Sequence, residues 1–324
     1  MSFFQPAPGA VLSHDIADYP DGIVLPIDKP YRWTSADVIR KVKFAAFRHF
    51  RKKNLKVGHA GTLDPLATGV LLVCLGPACK RAQEFQDHDK EYVASVRFGA
   101  TTPSYDLEKE VDRTFPYDQV TEEAVRAVLP SFLGPQEQVA PLFSAKSVDG
   151  VRAYEMARKL YRNAQKGIQD PDFDAAALET LHRSRITISD LELLGFVDAS
   201  DAMVASAVPQ ESAYGASANG VGQNFFDLFS GEKILVRGVS ADARNNVKSA
   251  SSRINVADTS SLGLPEAKIR IACSKGTYIR AFARDLGEAL GTGAHLSGLV
   301  RTRTGDFRLE DALSLETALS LLAE

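Results

Sequence analysis

Val57-Gly-His-Ala-Gly-Thr-Leu-Asp64-Pro65-Leu-Ala-Thr-Gly69-Val-Leu-Leu-Val-Cys-Leu75 joins an irregular loop to a buried strand. Glycines at 58, 61 and 69, with Pro65, force a tight turn-rich path. Gly69 to Leu75 is then an unbroken apolar run of strand length. His59, Thr62 and Asp64 project from the loop. Upstream, Gly22 to Pro30 reads as a short apolar strand ended by a proline turn. Thr34 or Ser35 can cap a helix whose apolar stripe is Val38, Ile39, Val42 and Ala46. Downstream, Tyr92, Ala94, Val96 and Phe98 alternate as one face of a strand. Thr121 caps a second helix, and Tyr154, Ala157, Leu160 and Tyr161 mark a third. Ile269, Ile271 and Cys273 alternate with Lys268 and Arg270, Tyr278 to Leu290 is helical, and Gly291 closes it. Leu313, Leu315, Leu319 and Leu322 suggest an amphipathic helix at the end of the chain. Strands and helices mix without a regular βαβ repeat, so the expected architecture is α/β (α+β), a mixed sheet with helices packed on it.

A chain of 324 residues, 44% hydrophobic and 24% charged, can bury a sizeable core and is neither wholly disordered nor fibrous. No apolar run is long enough to span a bilayer, and Met1 to Pro6 lacks the start of a signal peptide. Cys74, Cys79 and Cys273 form no C-x-x-C pair and read as reduced, buried thiols of a soluble cytoplasmic protein. Residues 197–264 hold eleven Ser, eleven Ala and six Gly, which bury little, so this stretch reads as a surface insertion with a strand at Lys233 to Arg237. Residues 1–21 read as a loose lead-in.

The net charge of −3 hides an uneven distribution. No acid occurs between Asp37 and Asp64, while Arg40, Lys41, Lys43, Arg48, Arg51, Lys52, Lys53 and Lys56 do. Lys268 to Arg308 is a second basic stretch. Either alone is consistent with a solvated face; two such stretches flanking apolar motifs point to a polyanion-binding groove. A lone carboxylate on a rigid loop in that cationic setting suits a nucleophile or base. Spacing equally admits an Asx-type turn in which Asp64 only holds backbone amides before Pro65. The glycines fit neither a Walker loop nor a dinucleotide fingerprint, the six histidines and three cysteines show no metal-ligand spacing, and no nucleophile elbow is present. No cofactor and no metal is expected.

Gly58-His59-x-Gly61-Thr62-Leu63-Asp64-Pro65-x-Ala67-x-Gly69-Val70-Leu71 resembles the signature of bacterial tRNA pseudouridine-55 synthases, the TruB-type family. Asp28-Lys29-Pro30 with Thr34-Ser35, and Lys90-x-Tyr92, resemble the same family. So do Pro141-x-Phe143-Ser144-Ala145 through Gly150, Ala153-Tyr154 and Ala157-Arg158, then Cys273 to Arg280, and Gly293-Ala294-His295 through Leu299-x-Arg301. The blocks occur in the family's order over about residues 22–196 and 266–318.

The resemblance implies a pseudouridine synthase fold: a mixed, largely antiparallel sheet with flanking helices and an RNA-binding cleft across its middle. One catalytic domain over 22–324 is implied, carrying the 197–264 insertion and no C-terminal RNA-binding appendage. The implied activity is isomerisation of uridine 55 in the T-loop of tRNA, by base flipping and attack of an aspartate. Asp64 matches the nucleophile. Tyr92 matches the tyrosine that stacks on the uracil and serves in proton transfer, and Arg280 the arginine that pairs with the catalytic aspartate. His59 resembles the histidine stacked near flipped nucleotides, with Gly61 and Thr62 beside it in the signature. Tyr278 and Leu299 match residues lining the pocket, and Lys29 and the Arg40 to Lys56 window would contact phosphates. The partner is the tRNA T-arm. No membrane and no obligatory protein partner is implied, and the enzyme would act as a monomer.

Two departures stand out. The family's Thr-Asp-Thr-x-Asp-like stretch reads Thr101-Thr102-Pro103-Ser104-Tyr105-Asp106-Leu107-Glu108 here, short of one acid and the glycine, which puts local RNA contacts in question. The missing appendage leaves binding to the catalytic part, so salt-sensitive affinity is expected. Alternatives are a non-catalytic RNA-binding protein that folds tRNA, and a related synthase acting on another RNA.

Overall fold

A computed structural model describes residues 3–6, 10–141, 183–199, 254 and 256–323, and the backbone of 147–148, 151–152, 224–226 and 233–235. The third expected helix, around Tyr154 to Tyr161, and most of the Pro141 to Arg158 block lie outside the described residues. The chain forms two compact units, residues 1–93, 203–255 and 298–324 in one, 94–202 and 256–297 in the other.

The first unit is built on β1 (Ile23–Lys29) and β3 (Thr68–Leu75), antiparallel from Ile23↔Leu75 to Lys29↔Gly69. All eight residues of β3 are buried, as an apolar run without alternation requires. Its other edge is shared by β2 (Val57–Ala60), paired from Val57↔Leu75 to Ala60↔Leu72, and by residues 300–301, which run parallel at Val300↔Thr68 and Arg301↔Gly69. The sheet's far edge is a parallel pair, Leu313–Ser314 beside Ile27 and Asp28 of β1.

Helix α1 (Ser35–His49) starts at a capping box in which Thr34 and Asp37 each satisfy the other's backbone amide. Of the expected stripe, Val38, Val42 and Ala46 are fully buried and Ile39 is half-buried, each buried Val contributing about 1.5–3 kcal/mol. At the chain's end Leu313 belongs to a strand, not to the expected helix, which spans Leu315–Leu321 and buries Leu315, Ala318 and Leu321. A leucine repeat of mixed spacing fits either element until its neighbour, β1, selects one.

Strand β4 (Lys90–Phe98) carries the chain from the first unit into the second and buries every other residue from Lys90 to Phe98. The second unit contains β5 (Gly134–Val139), β6 (Arg183–Val197) and β7 (Glu266–Cys273), in the order β7-β6-β5 and antiparallel throughout. Helix α2 (Glu122–Val128) is capped by Thr121, and α3 (Ile279–Ala289) ends before Gly291 at φ 71°. Strand β8 (Ala294–Thr304) returns the chain to the first unit. Pairing is thus mostly antiparallel with helices alongside, as expected. No described helix is long and apolar enough to cross a membrane.

Two expectations need correction. Ala257, Thr259 and Leu264 are buried, and Arg97 donates to the Thr259 hydroxyl at 2.7 Å, so the C-terminal end of the 197–264 stretch belongs to the core of the second unit. Small-residue composition hides such local anchors. The backbone at Lys233–Leu235 is a strand, paired with Asn224–Phe226. Among the thiols Cys74 and Cys273 are buried, but Cys79 is only half-buried, its Sγ donating to the Cys74 carbonyl.

His295 gives the fold a pH dependence. Its ring is fully buried, with Nδ1 2.9 Å from the Ala100 carbonyl, to which it must donate, and Nε2 buried without a hydrogen bond. Burial pushes its pKa down to about 4, from an ordinary 6.5. The unfolded ring therefore binds a proton that the folded ring refuses, and stability falls as pH drops from 6.5 toward 4. This group should remove about 2 kcal/mol between pH 7.5 and pH 5. Urea unfolding at both pH values should show a smaller loss for His295→Asn than for wild type; equal losses would refute the assignment.

Candidate active site

The loop from Gly61 to Gly69 is fastened along its length by groups far away in sequence. Arg301 is 1% exposed, and its guanidinium donates to the carbonyls of Val70 (2.7 Å), Gly61 (3.0 Å) and Thr62 (3.5 Å). Ser35, at the first turn of α1, donates its Oγ to the Leu63 carbonyl at 3.1 Å and accepts from the Leu63 amide at 3.0 Å. The Asp64 carbonyl accepts from the Ala67 amide at 3.1 Å, and Asp28 accepts from the Gly69 amide at 3.0 Å. Gly69 has φ 98°, and a Cβ there would lie 2.2 Å from the Arg301 carbonyl oxygen, so only glycine lets the two strands approach. Leu63 and Ala67 are buried while Thr62 is exposed and Asp64 half-buried. The result is a carboxylate presented at the surface of a backbone that has little freedom left.

Lys29 is part of this fastening. Its side chain is fully buried at the end of β1, and Nζ donates to the carbonyls of Trp33 (2.6 Å), Pro30 (2.9 Å) and Pro65 (3.2 Å). The expected phosphate contact is therefore corrected: all three donors of the ammonium face backbone oxygens, and no surface is left to meet RNA. Burial pushes its pKa down to about 7, opposed by the negative charges of Asp64 and Asp28. Three carbonyl acceptors in hydrogen-bond range favour the charged form. Lys29 thus lies beneath the Asp64 loop, tied to the Pro65 carbonyl.

His59 lies half-buried on β2, with Nδ1 buried and without a hydrogen bond. Burial, and then the Arg301 charge, hold its pKa below the ordinary 6.5, so the ring is neutral at pH 7 and suited to stacking rather than to cationic contact. Tyr92 is 8% exposed, on the buried face of β4 two residues from Lys90, whose Nζ donates to the carbonyls of Gln86 and His88 and fixes the strand's start. Leu299 is half-buried on β8.

In the second unit Tyr278 is the N-cap residue of α3, its amide and carbonyl both held by the Gln138 side chain at 2.8 and 3.1 Å. Arg280 is 5% exposed; it donates to the Ser104 carbonyl at 3.1 Å and lies 3.8 Å from the Asp106 carboxylate. Asp106 is itself buried, accepting from the Ser104 hydroxyl at 2.6 Å and the Glu108 amide at 2.9 Å. Asp106, one of two acids in the divergent Thr101 to Glu108 stretch, is thus a partner of Arg280. Sequence reading assigned that stretch to RNA contacts and missed this role, because the pair lies far apart along the chain.

The contacts of Arg301, Ser35 and Lys29 therefore hold Gly61, Thr62 and Asp64 in one fixed loop, and Arg280 is set with Asp106. Ser35→Ala removes both bonds to the residue before Asp64. It should lower kcat roughly ten- to a hundredfold while KM stays within about twofold. Its stability cost should be about 1–2 kcal/mol. Steady-state kinetics on fully folded protein checks this, and an unchanged kcat would assign Ser35 a purely structural role.

The sequence profile described as TruB family pseudouridylate synthase (N terminal domain) matches residues 48–196, and that of the tRNA pseudouridylate synthase B C-terminal domain matches 280–323. A Phocaeicola vulgatus protein named tRNA pseudouridine synthase B is 41% identical over 300 residues, 93% of each chain. A Bacteroides thetaiotaomicron protein of the same name is 41% identical over 299 residues, 92% of each chain. Among solved structures, an H/ACA RNP bound to a substrate RNA containing 2′-deoxyuridine is similar at a TM-score of 0.46 and 21% identity, over 91% of this chain and 51% of that one.

Proposed function

The chain belongs to the TruB family of pseudouridylate synthases, and from this premise we propose that it isomerises uridine 55 in the tRNA T-loop to pseudouridine, with Asp64 as nucleophile. The enzyme is a pseudouridine synthase and its substrate is tRNA. The reaction conserves every heavy atom. The bond from ribose C1′ to uracil N1 breaks, the base turns, a bond from C1′ to C5 forms, C5 loses its proton and N1 gains one. The target base must leave the stack first, at a cost of a few kcal/mol.

The observation that carries the proposed chemistry is the fastening of the Asp64 loop by Arg301, Ser35 and Lys29. A nucleophile gains most when its approach is fixed before substrate arrives, because orientation is then not repeated at each turnover. Tyr92 would stack on the uracil and take part in proton transfer, while Arg280 would attend the catalytic carboxylate. His59, Gly61, Thr62, Tyr278 and Leu299 would line the flipped nucleotide. The enzyme is read as a monomer working in the cytoplasm on the T-arm.

Tritium release from unmodified tRNA labelled at uracil C5 tests the reading. Release of one equivalent, mapped to position 55, is the expected result. Tight tRNA binding without release would favour an RNA-folding role, and release from ribosomal RNA instead would reassign the substrate.

A further inference from the structure

We propose, resting on the tRNA reading above, that the outer face of α1 is a second RNA foothold. Phe44 would stack on an unpaired base there, amid the Arg40 to Lys56 cations already expected to contact phosphates. Phe44 is 65% exposed, the most exposed phenylalanine among the described residues. It lies in the middle of a helix whose opposite face is closed in the core, so burial in this fold does not explain it. Arg40 and Arg48, one turn to either side, and Lys43 beside it are exposed. Arg48 sits 5.8 Å from the Phe44 ring centroid, and Lys43 Nζ 5.4 Å from that of Phe47. Arg51, Lys52, Lys53 and Lys56, all exposed, continue the positive surface past the helix end. The face's one acid, Asp37, is bound to Arg40 at 2.7 Å.

An aromatic ring framed by cations has two uses for a single-stranded segment: its face takes any base, and the charges track the backbone. A membrane surface fits less well. Val38, Val42 and Ala46 are fully buried, which leaves α1 no apolar face to lay into lipid. Phe44 lies nine residues along α1 from Ser35, about 14 Å at 1.5 Å per residue, so the foothold is separate from the loop that carries Asp64. It would therefore add affinity without touching the reacting uridine.

Full-length unmodified tRNA, measured by filter binding and by C5-tritium release across a salt series, tests the foothold. Phe44→Ser, at an exposed position, should leave the melting temperature unchanged and raise Kd roughly tenfold with kcat held. The double substitution Lys43→Gln, Arg48→Gln should reduce the slope of log Kd against log salt by about one to two. An unchanged Kd in Phe44→Ser overturns the stacking, and an unchanged slope overturns the phosphate contacts. Intact tRNA binding with lost binding to phosphatidylglycerol vesicles would assign the face to a membrane and also overturn the proposal. Failure of wild type to release tritium would instead strike the proposed function; weaker tRNA binding by Phe44→Ser would still support the foothold.

Discussion

Asp64→Asn should lower tritium release on the order of 10⁴-fold or more, the scale seen when a catalytic nucleophile is removed. The two side chains have nearly the same volume, and the loop that presents them is held by its backbone. The Leu63 amide and carbonyl bind Ser35, the Pro65 carbonyl binds Lys29, and the Asp64 carbonyl accepts from Ala67. None of those bonds uses the carboxylate. The variant should therefore stay folded, with tRNA affinity within about twofold, because the phosphate contacts that dominate affinity are untouched. Single-turnover release with saturating enzyme separates chemistry from binding. A residual rate within a hundredfold of wild type would remove Asp64 from the nucleophile's role.

Arg301→Met should damage fold and activity together. The side chain is buried, and its three donors satisfy the carbonyls of Gly61, Thr62 and Val70. Methionine fills much of the same volume but leaves those oxygens without partners, at a cost of about 3–5 kcal/mol in all. Loosening Gly61 and Thr62 should also move Asp64, and a displacement near 1 Å costs about a hundredfold in rate. Arg301→Lys should recover little, since one ammonium cannot reproduce the planar fork that reaches both the loop and β3. Urea unfolding gives the stability loss, and single-turnover assays well below the melting point give the rate loss. A stable variant with an ordinary rate would show that the loop holds itself.

What the sequence reveals of this molecule follows the range of each interaction. Helix α1, strand β3 and strand β4 were legible because their patterns are local: a cap residue before a periodic stripe, an unbroken apolar run, and strict alternation. The glycine-rich loop with Asp64 was legible for the same reason. The fastening was not. Ser35 lies 28 residues from Leu63, and Arg301 lies 240 from Gly61, and each binds a backbone group that every residue type possesses. Lys29 shows the hazard from the other side: a lysine beside a proline turn suggests a phosphate ligand, and only its complete burial reveals an internal tie. Asp106 was visible as a surviving acid in a divergent stretch, but its partner Arg280 is set by folding over 174 positions.

A loop tied down in this way changes where the energy of RNA binding goes. A mobile loop would draw on that energy to become ordered each time substrate arrived. Here the ordering is complete when the chain has folded, with Gly61, Thr62, Leu63, Pro65 and Gly69 each already held. The deformation required at the moment of encounter then falls on the nucleic acid alone, and the contacts made along its backbone are free to offset the unstacking of a single base.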